Sequence, residues 1–471
     1  MILDGKKILV VGSGKSGVAA IALLKEKGIE ATLTDSNEKL DVNKLINDNP
    51  VLRGVNIIVG ELSDDVKKST DCLILSPGVP TDLPWINEMR DRGVMIIGEI
   101  ELGYICGKGS VIGITGTNGK TTTTTLTGEI MKAYYKHVDV VGNIGIPYTE
   151  KAAAQVEDQI TVAEISSFQL ETIIDFHPVV TAILNITPDH LNRHHTMEAY
   201  IKAKEDITLN QTKDDVCVLN YDSPDTRAFI NRCPATVIAF SSSTKLENGF
   251  YYEDGAIYRA GVRNYKGYEG KAVSYNDNPA EPKKIMNVTD MNLVGMCNIE
   301  NVMAALAIAE AMNVPLDITL KVIRDFKAVE HRIEFVATKN GVDYYNDSKG
   351  TNPDAAIQGI KAMTKPTILI GGGYDKGSEY DDWIKAFDNK VKLLVLIGVT
   401  RDKIAECARK YGVTNIVMAD TFEECMDICI KNACPGDAVL LSPACASWGL
   451  FDNYEQRGRI FKDIVRNIKE N

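Results

Sequence analysis

Residues 110–126, SVIGITGTNGKTTTTTL, leave little freedom in what this chain can fold into. A short apolar run rich in β-branched residues enters a glycine-rich turn ending in Gly119-Lys120-Thr121, and Leu126, Ile130 and Tyr134 follow at helical spacing. Strand, loop and helix in that order form a cradle for nucleotide phosphates. Loop amides meet phosphate oxygens, Lys120 lies against the β- and γ-phosphates, and the Thr121 hydroxyl ligates Mg²⁺. One position departs from the generic pattern: Ile114 stands where a glycine is expected, and the glycine sits one place earlier, at Gly113. Thr121 to Thr125 are β-branched and poor helix formers, so propensity does not account for their run at a helix start.

Upstream, KKILVVG, the turn GSGKSG at Gly12 to Gly17 and AAIALLKEKG read as strand, turn and helix, and IEATLTD ends a second strand at Asp35. The turn fits GxGxxG, and Asp35 stands where a dinucleotide fold holds a ribose. Such a turn favours a pyrophosphate of any kind, a UDP-sugar as readily as NAD. CLILSPG and VMIIGEIEL supply further strands. Downstream of the cradle come ITVAEIS, VVTAILNI and DDVCVLN, then a stretch from Phe240 to Asp290 that reads as β-rich or loop, then the helices NIENVMAALAIAEAM and DITLKVIRDF. A last block alternates NGVDYYNDS, PTILIGGG, VKLLVLIG and DAVLLSP with helical stretches. Alternation of this kind predicts parallel sheets. The expected architecture is three α/β domains: an N-terminal Rossmann-like domain over 1–98, a central P-loop ATPase-like domain over 99–325 and a C-terminal Rossmann-like domain over 326–471.

With 44% hydrophobic and 25% charged residues the chain has the balance of a globular protein. Its 52 basic and 64 acidic residues leave a net charge of −12, the wrong sign for a general nucleic-acid or membrane-surface binder. No apolar run reaches the ~18 residues needed to cross a bilayer, and MILDGKKILVVG runs straight into a strand without a signal peptide. Ten scattered cysteines without a CxxC pair fit reduced thiols. A cytoplasmic monomer is the expectation.

TGTNGKTT resembles the P-loop of the Mur ligases and folylpolyglutamate synthases, in which Ile114 is the usual form. GNIGIP (142–147), AEISSFQLE (163–171) and LNITPDHLNRH (184–194) continue that resemblance in order, and GMCNIEN (295–301) does so with Cys297 in place of a histidine. The N-terminal GxGxxG block sets the chain apart from the folate enzymes. SPACASWGLFDNYEQRG (442–458) is similar to the signature of the D-glutamate-adding branch of the Mur ligase family. The resemblance is near full length.

It implies an ATP-dependent ligase forming an amide through an acyl phosphate, with UDP-N-acetylmuramoyl-L-alanine and D-glutamate as substrates and ATP with Mg²⁺, two ions, as cofactors. ATP then meets Gly116, Thr117, Asn118, Gly119, Lys120, Thr121, Thr122, Asn298, Asn301, Arg332 and Asp347. The nucleotide-sugar substrate meets Gly14, Lys15, Ser16, Asp35, Ser36, Ser76, Pro77, Gly78, Asn143, Ser166, Gln169 and His190. Thr121, Glu164, His190 and Lys204, the last as a carbamate, hold metal, and Lys120, Asn143, Glu164, His190 and Lys204 form the catalytic set. Lys349, Thr351, Lys376, Ser447, Trp448 and Tyr454 receive D-glutamate. The last domain closes over the site. Read without the resemblance, Glu164 and His190 are equally loop residues, Lys204 a surface lysine and Arg332 an ordinary surface charge. A dehydrogenase built on GSGKSG leaves TGTNGKTT unexplained, and a UDP-sugar binding module needs neither Lys120 nor Glu164.

Overall fold

A computed structural model describes residues 2–143, 145–263, 265–268 and 272–469; Ile144 of GNIGIP lies outside them. The chain forms two compact units, Met1–Asn287 with Glu300–Ile323, and Val288–Ile299 with Arg324–Asn471.

The first unit holds two sheets. One has five parallel strands in the spatial order Asn56–Val59, Ala31–Asp35, Ile8–Val11, Cys72–Leu75, Met95–Gly98. Chain order reverses at Ile8–Val11, so the turn after this strand lies at a switch point, where open α/β sheets bind ligands. The strand Asn56–Val59 gave no clear sequence signal: it is a short edge strand with no fully buried residue.

The other sheet has nine strands, in the order Lys283–Asn287, Ala256–Ala260, Gly249–Glu253, Thr236–Ser241, Val216–Asn220, Val180–Ile183, Ser110–Thr115, Ile160–Glu164, Val138–Gly142. Its pairings are parallel except those of Ala256–Ala260 with its two neighbours. The stretch read as β-rich or loop thus contributes short strands, including a hairpin whose two-residue turn is Asp254-Gly255, both at positive φ.

Helix Lys120–Tyr134 packs Leu126 and Ile130 fully inside, while Tyr134 is 47% exposed. Eight residues at about 100° each overshoot a whole number of turns by about 80°, which carries Tyr134 off the face that Leu126 occupies. An apolar cluster continues from Leu24, Leu33 and Ile74 through Ile100 and Tyr148 to Ile165 and Leu219, so the two sheets share buried surface. Gly103 permits this contact: a Cβ there would lie 2.6 Å from the Tyr148 ring.

The second unit carries one six-stranded sheet, ordered Glu334–Lys339, Val342–Asn346, Ala438–Leu441, Thr367–Gly371, Val391–Leu396, Ile416–Met418. All of its pairings are parallel except that of the first two strands. None of the ten cysteines is in a disulfide; seven are buried, Cys297 and Cys407 are half-buried and Cys434 is exposed. Burial pushes the Cys72 thiol up to about 12, which makes it inert at neutral pH. Among the described residues no helix is long and apolar enough to cross a membrane.

Candidate active site

The loop after Ser110–Thr115 turns into helix Lys120–Tyr134 through Gly119, whose φ is +84° and whose added Cβ would lie 2.4 Å from Asn301 Oδ1. Asn301 in turn accepts from Thr123 Oγ1 at 3.1 Å, so the helix start, the loop and Asn301 fit together only with glycine at 119. No side chain caps this helix, and its positive end points into the loop. Thr117 Oγ1 donates to Thr187 O at 3.1 Å, accepts from Thr187 N at 3.0 Å and lies 3.0 Å from the Tyr200 hydroxyl. Asn118 N donates to Asn185 Oδ1 at 2.8 Å, and Asn185 Nδ2 returns a bond to Asn118 O at 3.1 Å. The loop is thus braced from the strand end Val180–Ile183 before any ligand arrives.

Two lysines meet on it. Lys120 Nζ donates to Gly116 O at 2.8 Å and Thr117 O at 2.9 Å, and Lys204 Nζ donates to the same Gly116 oxygen at 2.8 Å. Lys204 is 1% exposed and lies 4.7 Å from the centre of the Tyr200 ring. Burial, with the Lys120 charge adding to it, pushes the Lys204 ammonium well below the usual lysine range. It is not a surface lysine.

Glu164 ends its strand in register with Ile114 on one side and Gly142 on the other. Asn143 N donates to Glu164 O at 2.8 Å and Asn143 Nδ2 to Glu164 Oε1 at 2.9 Å, while Oε2 is buried without a hydrogen-bond donor. A Cβ at Gly142, φ +103°, would lie 2.2 Å from the Glu164 carbonyl oxygen. His190 has φ +53° at the entry to the short helix Leu191–His194; its ring is half-exposed and stands edge-on to Phe168 at 4.9 Å. Among the described residues no three of His, Cys, Asp and Glu gather as a metal cluster. The expected ligand set takes only Glu164 and His190 from those types. The unpartnered Oε2 is the atom that fits a cation.

Beside the N-terminal sheet, helix Lys15–Glu26 begins at Gly14 with no side-chain cap, and a Cβ built there would meet nothing within 4 Å beyond its own chain neighbours. Gly17 is different: its Cβ would lie 1.8 Å from Gly12 O. Lys15 and Ser16 form the first turn. Asp35 Oδ2 accepts from Ser13 N at 2.9 Å and Ser13 Oγ at 2.5 Å, and Oδ1 from Asn37 N at 3.0 Å. Burial raises the Asp35 pKa, but these bonds together hold it below the usual carboxylate range. Asp35 therefore shapes the turn beside Ser36. Ser76 Oγ donates to Gly12 O at 3.3 Å, and Pro77 and Gly78 follow it. Ser166 and Gln169 form a reciprocal cap on the helix Ser167–Leu170.

In the second unit Asp347 is buried and accepts from Ser442 Oγ at 2.6 Å and Ile333 N at 3.3 Å. Burial pushes its carboxyl up to about 7, those two donors pulling back. Lys349 Nζ donates to the Tyr454 hydroxyl at 2.6 Å and lies 4.2 Å over its ring. Arg457 bonds Ser348 Oγ at 2.9 Å and Ser348 O at 2.7 Å, which fixes the turn leading to Lys349 and Thr351. Ser447 is buried beside the exposed Trp448, over which Lys376 lies at 5.0 Å. Arg332 and Asn298 also belong to this unit, and Asn298 Nδ2 donates to Val294 O at 2.8 Å.

Family models match most of the chain: the MurD-like N-terminal domain of Mur ligases over 6–98, the Mur ligase middle domain over 114–309 and the Mur ligase glutamate ligase domain over 331–445. The chain belongs to the Mur ligase family.

Relatives named UDP-N-acetylmuramoylalanine–D-glutamate ligase include those of Lachnospira eligens, 54% identical over 99% of this chain and all of the relative, and of Lachnoclostridium phytofermentans, 53% identical over 99% of each. Among solved structures, MurF of Acinetobacter baumannii aligns with a TM-score of 0.59 at 14% identity over 98% of this chain and 93% of that one. MurC of Thermotoga maritima aligns at 0.58 and 18% over 98% and 100%. At such identities these two structures speak for the fold of this Mur ligase alone.

Sequence reading passed over three residues of this Mur ligase that hold its site in shape: Asn185, Tyr200 and Arg193. The Arg193 guanidinium bonds Val79 O at 2.9 Å and Glu171 Oε2 at 2.8 Å and lies 4.6 Å over Phe168. Thr81 Oγ1 joins the same Glu171 oxygen at 2.9 Å, so the segment after Ser76-Pro77-Gly78 is clipped to the one carrying His190. An arginine three places after a histidine carries no such signal, because the Val79 carbonyl it reaches lies 114 residues away in the chain.

Proposed function

We propose that this Mur ligase joins the amine of D-glutamate to the alanyl carboxylate of UDP-N-acetylmuramoyl-L-alanine at the expense of ATP, releasing ADP and phosphate. The observation that carries the ATP half is the braced loop of residues 113–122 at an uncapped helix N-terminus, with Lys120 poised on it. The choice of substrates rests on the full-length relatives at 53% and 54% identity, whose name states them. A solved MurF of Thermotoga maritima, described as in complex with ADP, aligns at a TM-score of 0.57 and adds to the case for ATP.

A carboxylate resists amines in water because it has no leaving group. In the proposed reaction a carboxylate oxygen attacks the γ-phosphorus, the bond to the β-phosphate oxygen breaks and an acyl phosphate forms. The amine then attacks the acyl carbon, loses a proton, and phosphate leaves. Lys120, released from Gly116 O and Thr117 O, turns to the phosphates and offsets their charge. The Asn143 amide holds the Glu164 carboxylate in one orientation. Glu164, with Thr121, His190 and Lys204, would hold Mg²⁺, which when bound neutralises charge on the phosphoryl group. The low proton affinity of Lys204 supports the carbamate reading, since only a neutral amine adds CO₂. Lys349, Thr351, Lys376, Ser447 and Tyr454 take up the amino acid, with domain limits near 98 and 325.

Phosphate release with the UDP-muramoyl-alanine precursor against a panel of D- and L-amino acids tests this reading. D-glutamate is expected to stand alone. Equal rates with an unrelated amino acid, or none with D-glutamate, would overturn it.

A further inference from the structure

Tyr374 and Trp448 are 45% and 53% exposed, and rings of this size are ordinarily covered. They are nonetheless held in place. Tyr374 N donates to Ala446 O at 2.9 Å and the two residues form an antiparallel bridge, which ties the loop after Thr367–Gly371 to the loop after the neighbouring parallel strand Ala438–Leu441. Gly373 allows that approach, since a Cβ there would lie 2.3 Å from Ala446 O. The two rings then meet edge to face, centroids 5.5 Å apart at 63°.

Lys376 lies on this pair, its Nζ 5.0 Å from the centre of the Trp448 ring. The adjacent carboxylate of Asp375 is turned back and accepts from Gly377 N at 2.8 Å. An ammonium resting on a ring is oriented without being neutralised, so its remaining N–H groups stay available to an anion. Both loops leave the C-terminal ends of adjacent parallel strands, the edge at which such sheets bind ligands.

We infer that Tyr374 and Trp448 are positioning residues that hold the Lys376 ammonium for the side-chain carboxylate of the incoming amino acid, and so set its preference for an acidic over a neutral side chain. The inference rests on the ligase reading above and adds a specificity device to it.

The test is steady-state phosphate release by the full-length chain with precursor and Mg-ATP while D-glutamate is varied. Trp448→Leu and Tyr374→Ala are each expected to raise KM for D-glutamate about fivefold, with kcat within about twofold and KM for ATP unmoved. Trp448→Phe keeps a ring and restores most of the loss. Inhibition by D-glutamine, which lacks the charge, is expected to be the same in wild type and Trp448→Leu. An unchanged KM for D-glutamate in Trp448→Leu overturns the inference, as does a parallel loss of kcat, ATP affinity and Tm, which marks a merely structural role. No D-glutamate-dependent turnover in the wild type overturns the ligase reading itself.

Discussion

Glu164 gives one carboxylate oxygen to Asn143 and keeps the other buried without a donor. A desolvated anionic oxygen is costly in the folded chain unless a cation meets it during function. We predict that Glu164→Gln, which preserves the shape and removes the charge, lowers phosphate release at least about 100-fold while Tm holds or rises; more than a tenth of wild-type activity would end the metal-ligand assignment. Asp347 poses a different question. Its carboxyl, pushed up to about 7 by burial, keeps its proton in the folded chain at pH values where the unfolded chain has lost it. Stability from this group is full below about pH 4 and is lost as pH rises towards 7. Tm of Asp347→Asn measured against wild type should therefore improve between pH 5 and pH 8, and a difference that stays constant with pH would contradict the assignment. Asp35 shows what residue-level reading misses: its place after a strand was legible, but its occupation by Ser13 was not, because that bond depends on how the turn folds back.

At the scale of elements, what lay in one contiguous run could be read. The strand, loop and helix of residues 110–134 and the turn GSGKSG are local, and their physical logic is local too. The Arg193 clip and the Asn118–Asn185 brace join segments 67 or more residues apart, and no spacing announces them. One miss was avoidable: Asp254-Gly255, between YYE and AIY, is a standard two-residue hairpin signal inside the stretch read only as β-rich or loop. The threonine-rich helix carries a testable oddity. Thr124 and Thr127 are fully buried, and their hydroxyls have no hydrogen-bond partner. Thr127→Val removes an unsatisfied polar group at nearly constant volume, and we predict a gain of about 1 kcal/mol, visible as a higher denaturant midpoint without a change in m. A loss of stability would show that the hydroxyl is satisfied in solution.

The whole chain, divided into two compact units, is not expected to unfold as one. Calorimetry should resolve two transitions, and a saturating non-hydrolysable ATP analogue with Mg²⁺ should raise the one belonging to the first unit, residues 1–287 with 300–323, the more, by about 3 kcal/mol at a hundredfold excess over Kd. A single transition moving as a whole would refute the division. The distribution of thiols has a practical side. Cys434 is the one exposed cysteine among the described residues, and it lies in the second unit, while seven others are buried. A maleimide dye added in modest excess at neutral pH should mark that turn first, so the natural chain already carries a reporter on its second unit.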